Sequence, residues 1–308
     1  MLEKYLSYDL SKALDNIPYN NLCELRLREN NPVVVNILGE NYYLSRSDIH
    51  KSPDSAMVVS RGFLQSVIQK ISNNSLYTIN DDLIEGYVTI SGGVRVGVCG
   101  EVVSVDGKVK TLKKISSLNF RFPHNVKNCS LPIYNYIVNN GKISNTLIIA
   151  PPGAGKTTML RDLIYQISNK EHLLNILVVD ERKELCEIFN GSTIHKLKNI
   201  DIISNSSKKY AFNNGIRSMK PSLIITDEID LYKDIDDIKN AITSGVKVIA
   251  TIHASSVFDL KNKAQFADIL HKELFDRYIV LSNSNGIGTI EGVYDEKLFC
   301  IGYLWNYI

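Results

Sequence analysis

The chain has 308 residues, 44% of them hydrophobic and 22% charged, with a formal net charge of +2. That length and apolar content support two domains with separate cores, and a charge so near balance argues against a surface built chiefly to bind nucleic acid. The five cysteines, Cys23, Cys99, Cys129, Cys186 and Cys300, are scattered and never in C-x-x-C spacing, which predicts reduced thiols in a cytosolic protein rather than a disulfide frame or a zinc site. No apolar stretch approaches the roughly 18–20 residues that span a bilayer. Glu3 and Lys4 have no apolar run behind them, so no secretory signal is expected.

In chain order, Leu2 to Ile17 has the spacing of a short amphipathic helix. Glu24-Leu25-Arg26-Leu27-Arg28 alternates charged and apolar side chains as a half-buried strand does, with Arg26 and Arg28 on one face. Asn30-Asn31-Pro32 predicts a turn into a strand at 33–37, and Leu38-Gly39-Glu40 a turn into a strand at 42–44. Phe63, Leu64, Val67, Ile68 and Ile71 keep helical spacing. Residues 84–122 read as three or four strands, punctuated by Gly92-Gly93 and by Asp106-Gly107, a strong hairpin signal. Lys108, Lys110, Lys113 and Lys114 fit a solvated strand face. Residues 123–132 carry no strong pattern, and the domain edge is placed after them: an N-terminal α+β domain over 1–138 and a second domain over 139–308.

Residues 146–158, Thr-Leu-Ile-Ile-Ala-Pro-Pro-Gly-Ala-Gly-Lys-Thr-Thr, form an apolar run, a Gly-rich loop and a helical start, the context of a phosphate-binding P-loop. Pro152, Gly153, Ala154, Gly155, Lys156, Thr157 and Thr158 are the residues expected to bind a nucleoside triphosphate, ATP or GTP. The loop N–H groups surround phosphate oxygens, Lys156 supplies a point charge and Thr157 a hydroxyl for Mg²⁺. Ala150 stands where the pattern has its first glycine; a methyl there costs little at negative φ and roughly 1 kcal/mol or more at positive φ. Apolar runs at 146–149, 176–179, 200–203, 223–226, 246–251 and 278–281 alternate with helical segments, predicting a parallel sheet covered on both faces. Asn285-Gly286 predicts a turn into an antiparallel edge strand.

Two of these runs end in paired carboxylates, Asp227-Glu228 and Asp180-Glu181, the second pair followed by Arg182. Ligands sit at the carboxyl edge of such sheets, so Asp227 and Asp180 are candidates for the metal, and Glu228 or Glu181 for polarising the attacking water. The sequence leaves the choice of base open. His253 ends a third run and is a candidate for sensing the γ-phosphate or orienting water. Arg95 and Arg121, inside otherwise apolar strands, are candidate arginine fingers, with structural salt bridges as the alternative.

Together these motifs resemble the stage III sporulation AA family. The residues that carry the resemblance are Glu24–Arg28, Gly92–Gly100, Ile115–Arg121, the P-loop, Val179–Arg182, Ile216–Pro221 and Phe275–Tyr278, in order and across nearly the whole chain. The family is similar to type II and type IV secretion ATPases, hexameric rings in which an N-terminal domain moves over a RecA-like motor. The resemblance implies a RecA-like P-loop NTPase domain preceded by a smaller α+β domain, in a mother-cell cytosolic ATPase that uses ATP and Mg²⁺. Its implied partners are other copies of itself in a hexameric ring and the cytoplasmic part of an integral-membrane sporulation protein; nucleic acid is not expected. It also implies Walker B roles for Asp227-Glu228, an additional acidic box at Asp180-Glu181, γ-phosphate contact for Arg95 and Arg121, and the histidine of an Ala-His motif at His253. Ala150, Asp230 and Pro123 depart from the family pattern and point to slow turnover. A RecA-like nucleic-acid-dependent ATPase and a nucleotide-gated scaffold with little hydrolysis are the alternatives.

Overall fold

The computed structural model describes residues 2–123, 126–171, 174–186, 188–189, 192–193, 197–261, 264–271 and 273–302. Its contacts divide the chain into two units, one of residues 1–124 with 189–192 and one of the remainder.

In the first unit, helix α1 (Tyr8–Leu14) starts at Ser7, whose hydroxyl accepts the Leu10 N–H at 3.4 Å. That cap explains why the helix expected from Leu2 begins late, after a separate 3-10 turn at Leu2–Lys4. Strands β1 (Leu22–Arg28), β2 (Val34–Ile37), β3 (Glu40–Leu44) and β4 (Ile49–His50) precede helices α2 (Arg61–Ile71) and α3 (Asn80–Ile84). The unit ends with β5 (Tyr87–Ile90), β6 (Val94–Val105) and β7 (Lys108–Arg121). All form one seven-stranded antiparallel sheet in the order β4-β3-β2-β1-β7-β6-β5. Leu64, Val67, Ile68 and Ile71 of α2 share one core with Leu25, Leu27, Val35, Val96 and Phe120 of the sheet. Asp106-Gly107 turns β6 into β7 at φ +51° and +73°, the double left-handed geometry that matches strand twist. After β7, Phe122 is buried edge-on to Tyr19, so Pro123 lies outside the ladder and its missing N–H costs no strand bond.

The later elements, in chain order, are α4 (Leu131–Ile137), β8 (Val138–Asn139), β9 (Lys142–Ile143), β10 (Thr146–Ala150), α5 (Lys156–Lys170), β11 (Ile176–Asp180), β12 (Ile188–Phe189) and β13 (Ser192–Thr193). They continue with β14 (Ile200–Ser204), α6 (Lys208–Met219), β15 (Leu223–Thr226), α7 (Ile235–Thr243), β16 (Lys247–His253), α8 (Val257–Lys261), α9 (Ala264–His271), β17 (Arg277–Ser282), β18 (Thr289–Tyr294) and β19 (Cys300–Gly302). The second unit is built on an eight-stranded sheet in the order β14-β11-β15-β16-β10-β17-β18-β19. Its strands run parallel up to β17, and β18 and β19 add an antiparallel edge.

Alternate residues of the central strands feed two cores. Ile148, Val178, Ile225 and Ile249 join Leu160, Leu163 and Ile167 of α5, whereas Leu147, Leu177, Ile224 and Val248 join Phe212 of α6, Ile238 of α7 and Leu260 of α8. A parallel sheet buried on both faces, preceded by a smaller α+β unit, is the fold class the sequence implies. No described helix is long and apolar enough to cross a membrane.

The sequence reading left 126–138 to the first domain, but this segment packs in the second unit, where Ile133, Tyr134 and Ile137 are buried. Its anchor is Asp162 on α5, a buried carboxylate that accepts the Asn128 N–H at 2.9 Å, the Ser130 N–H at 2.8 Å and the Ser130 hydroxyl at 2.6 Å. Asp162→Ala strands those donors, and the second unit is expected to lose about 1–3 kcal/mol. A lower urea midpoint followed by circular dichroism measures this.

Candidate functional site

The P-loop joins β10 to α5. Ala150 is the last residue of β10, fully buried, paired with His253 of β16 and outside the left-handed region, so its methyl is tolerated without strain. The turn falls on the two glycines instead: Gly153 sits at φ +75° and Gly155 at φ +81°, and a Cβ on Gly155 would also meet Ile287 Cγ2 at 3.3 Å. Pro152 and Gly153 are exposed, Ala154 is buried, and Gly155, Thr157 and Thr158 are half-buried.

Lys156, first residue of α5, is only 5% exposed. Its ammonium donates to Ala150 O at 3.1 Å, to Pro151 O at 3.0 Å and to His253 Nδ1 at 2.8 Å. Burial draws its pKa down to about 8, with the Glu228 carboxylate opposing. An ammonium has no acceptor, so His253 must accept at Nδ1 and carry its proton on Nε2. That Nε2 lies 3.0 Å from Glu228 Oε1, and Glu228 Oε2 is bonded to Arg182 Nη1. The strand order β11-β15-β16-β10 sets these four groups side by side at the carboxyl edge, with His253 at the end of β16, Arg182 and Glu228 just after β11 and β15, and Lys156 at the start of the helix that follows β10.

Glu228 follows β15 at φ +40°, a conformation rare outside glycine, and its N–H donates to Thr251 Oγ1 at 2.8 Å. Thr251 precedes His253 by two on β16, so both project from the same face; sequence reasoning passed over this i, i+2 signal. Asp227 is 2% exposed, and its Oδ2 has no hydrogen-bond partner among the described residues. Burial, then the charge of Asp180, pushes its carboxyl up to about 7. An orphaned carboxylate oxygen just after β15, at the carboxyl edge of the sheet, fits a divalent cation. Among the described residues no cluster of three or more His, Cys, Asp or Glu could hold a metal unaided, so phosphate oxygens would have to complete the shell.

The other acidic pair is arranged differently from the sequence expectation. Asp180 is fully buried and accepts the N–H groups of Glu184 at 2.7 Å, Leu185 at 3.1 Å and Cys186 at 2.9 Å, so its carboxylate holds its own turn instead of facing an ion. Glu181 pairs with Lys208 at the start of α6, 2.7 Å away. Asp230 accepts the Tyr232 N–H at 2.8 Å and donates its own N–H to Asp234 at 2.9 Å, so the acidic run orders the entry to α7.

Arg95 and Arg121 lie in the first unit as directly opposed residues of β6 and β7. Arg95 stacks on the Tyr87 ring, 3.5 Å from its centroid, and Arg121 Nε is 3.9 Å from Glu24. With Arg26, Arg28 and the exposed Cys99 they line a cleft of about 510 Å³ on one face of the sheet. Sequence analysis placed Arg26 and Arg28 on one face but did not join them to Arg95 and Arg121, because strand order is needed for that.

Residues 2–301 match the family model described as "Sporulation stage III, protein AA". The chain is 35% identical over 302 residues to stage III sporulation protein AA of Bacillus subtilis (strain 168), covering 96% of this chain and 94% of that one. Among solved structures it is similar to the ATPase DotB of Legionella pneumophila, with a TM-score of 0.58, 16% identity and coverage of 90% of this chain and 77% of that one. It is also similar to the pilus retraction motor PilT with bound ADP, with a TM-score of 0.57, 14% identity and coverage of 88% and 76%. At such identities the structural likeness speaks to the fold.

The raised Asp227 pKa gives a pH signature. Its folded value exceeds the unfolded one, so the native state binds the proton more tightly, and the stability this confers is lost as pH rises from about 4 through about 7. Asp227→Asn removes that loss. In chelator at pH 8 the variant is expected to unfold at higher temperature than the parent, by on the order of 1–3 kcal/mol in stability, with the gap narrowing at pH 5. Calorimetric scans at the two pH values measure the difference.

Proposed function

The chain belongs to the stage III sporulation AA family, and on that premise we propose that it is an ATP-hydrolysing motor of the stage III complex between mother cell and forespore. The observation that carries the reading is the meeting of a P-loop lysine, an unpartnered buried Asp227 oxygen and a Glu228–His253 pair at one sheet edge.

In this reading the N–H groups of residues 152–158 and the Lys156 ammonium receive the phosphates. Lys156 exchanges Ala150 O, Pro151 O and His253 for phosphate oxygens, since its three donors are already engaged. Thr157 and Asp227 are the groups that fit Mg²⁺, which when bound would neutralise charge on the β- and γ-phosphate oxygens. Glu228 is favoured over Glu181 as the base, because Glu228 is tied to the P-loop lysine through His253 while Glu181 is engaged by Lys208. Its carboxylate takes a proton from water as the oxygen bonds to the γ-phosphorus and the bond to the β-phosphate oxygen breaks, releasing ADP. Arg95 and Arg121 supply the guanidinium charge that matches the transferring phosphoryl group, from the same or a neighbouring copy. Family resemblance supports a hexameric ring that docks from the cytoplasm on an integral-membrane sporulation protein, with ATP turnover driving domain motion.

Phosphate release tests this directly. Lys156→Ala and Glu228→Gln are each expected to lower the wild-type rate by about 100-fold or more, with Glu228→Gln still binding a slowly hydrolysed ATP analogue and Lys156→Ala not. Equal rates in all three proteins would leave only the scaffold reading. Affinity for the analogue should also weaken above pH 8, where the free protein's Lys156 (pKa about 8) is neutral and must take up a proton to meet phosphate. The limiting slope is about tenfold per pH unit, read by calorimetric titration from pH 7 to 9.5.

A further inference from the structure

Asp180 and Glu181 do not bond to the chain of side chains that runs from Lys156 through His253 to Glu228, yet the turn they begin reaches that chain through Arg182. The turn is held at several points. Asp180 accepts the N–H groups of residues 184, 185 and 186, and its carbonyl accepts the Lys183 N–H at 3.2 Å, with Lys183 at φ +58°. From outside, Arg161 of the P-loop helix donates Nε to the Glu184 carbonyl at 2.8 Å. The tip so fixed presents the half-exposed Arg182, whose Nη1 bonds to Glu228 Oε2.

Glu228 is held at three places: its N–H on Thr251, Oε1 on His253 and Oε2 on Arg182. Arg182 is the point on which several carboxylates converge: Glu228, Glu184, Asp227 and Glu181 all act on its guanidinium. Without Arg182, Glu228 Oε2 loses the bond that fixes its direction, and rotamers that carry the carboxylate toward solvent become accessible. We propose that Arg182 is a positioning residue for the proposed hydrolysis, carried on an arm that Asp180 and Arg161 build, and that it fixes the direction of the Glu228 carboxylate. In a site that needs a base aimed at one water, a displacement of about 1 Å can cost on the order of 100-fold in rate. The acidic box at the end of β11 then has a different task from its neighbour after β15: it supplies the shape of the arm.

The proposal rests on the hydrolytic reading, and the test separates the two. In the full chain, Arg182→Ala is expected to lower kcat about 10- to 100-fold while the Kd for a slowly hydrolysed ATP analogue stays within about twofold. Arg182→Lys should recover part of the loss through a single charged donor. The double variant Arg182→Ala/Glu228→Gln should be no slower than Glu228→Gln alone, because the arginine acts through that carboxylate. Asp180→Asn, which removes an acceptor from the arm, should reproduce the kcat loss without changing analogue affinity. Unchanged kcat in Arg182→Ala, or a double variant slowed by the product of the single effects, would overturn the positioning role alone. Wild-type hydrolysis no faster than that of Lys156→Ala would remove the hydrolytic reading and this proposal with it.

Discussion

A buried ammonium is tolerable only where acceptors surround it, and the Lys156 ammonium has Ala150 O, Pro151 O and His253 Nδ1. Much of the second unit serves that arrangement. Parallel register sets Ala150 of β10 opposite His253 of β16, and Thr226 of β15 opposite Ala250, so the lysine's partners and the carboxylates emerge along one edge. The glycines at φ +75° and +81° fold the loop back far enough for its lysine to reach its own carbonyls. A phosphate has to compete with these internal acceptors, whose compensation is incomplete: burial still holds the lysine's pKa at about 8. The loop is therefore closed on itself by bonds that a triphosphate can replace one for one.

The first unit carries a second electrostatic constraint. Arg95 and Arg121 are directly opposed across β6 and β7, where like charges are unfavourable. Three local features lessen the repulsion: the Tyr87 face beneath Arg95, the Glu24 carboxylate beside Arg26 and Arg121, and the solvent exposure of the Arg121 side chain. The register itself is set by the other face of the sheet, where Val96, Leu118 and Phe120 are buried. The buried face of the sheet thus fixes the register that sets the two arginines opposite each other on the open face.

Much of this was legible in the sequence. The two alternating faces of the central sheet follow from near-continuous apolar runs, the β6–β7 turn from Asp106-Gly107, and the α2 stripe from residues at i, i+3, i+4 and i+7. What was not legible lies where periodicity stops. At a strand end a side chain is no longer bound to one face, so Asp-Glu after β15 and Asp-Glu-Arg after β11 read alike, while the structure turns Asp180 onto backbone N–H groups and leaves Asp227 with an unpartnered oxygen. The start of the second unit was hidden for a related reason. Its anchor is Asp162, a polar residue on a helix, bonding to Asn128 and Ser130 more than thirty positions earlier. Such a contact has no local signature.

Buried carboxylates of this unit separate structure from chemistry. Asp162 and Asp180 have accepted bonds to nearby backbone N–H groups, and each fixes a segment of chain: one the entry to α4, the other the turn before Arg182. Asp227, also buried, is left with an oxygen that has no partner among the described residues and a carboxyl raised to about 7. Next to it Glu228 sits at φ +40°, a conformation that costs of order 1–3 kcal/mol unless its surroundings impose it. Thr251 holds its backbone N–H, and His253 and Arg182 hold its carboxylate. Strain and unmet polar capacity therefore fall on two consecutive residues at one sheet edge, while the buried carboxylates around them are satisfied. A fold selected for stability alone would relieve both residues. Keeping them unrelieved, beside a loop shaped for phosphate, is what a site looks like when its missing partners arrive with the substrate.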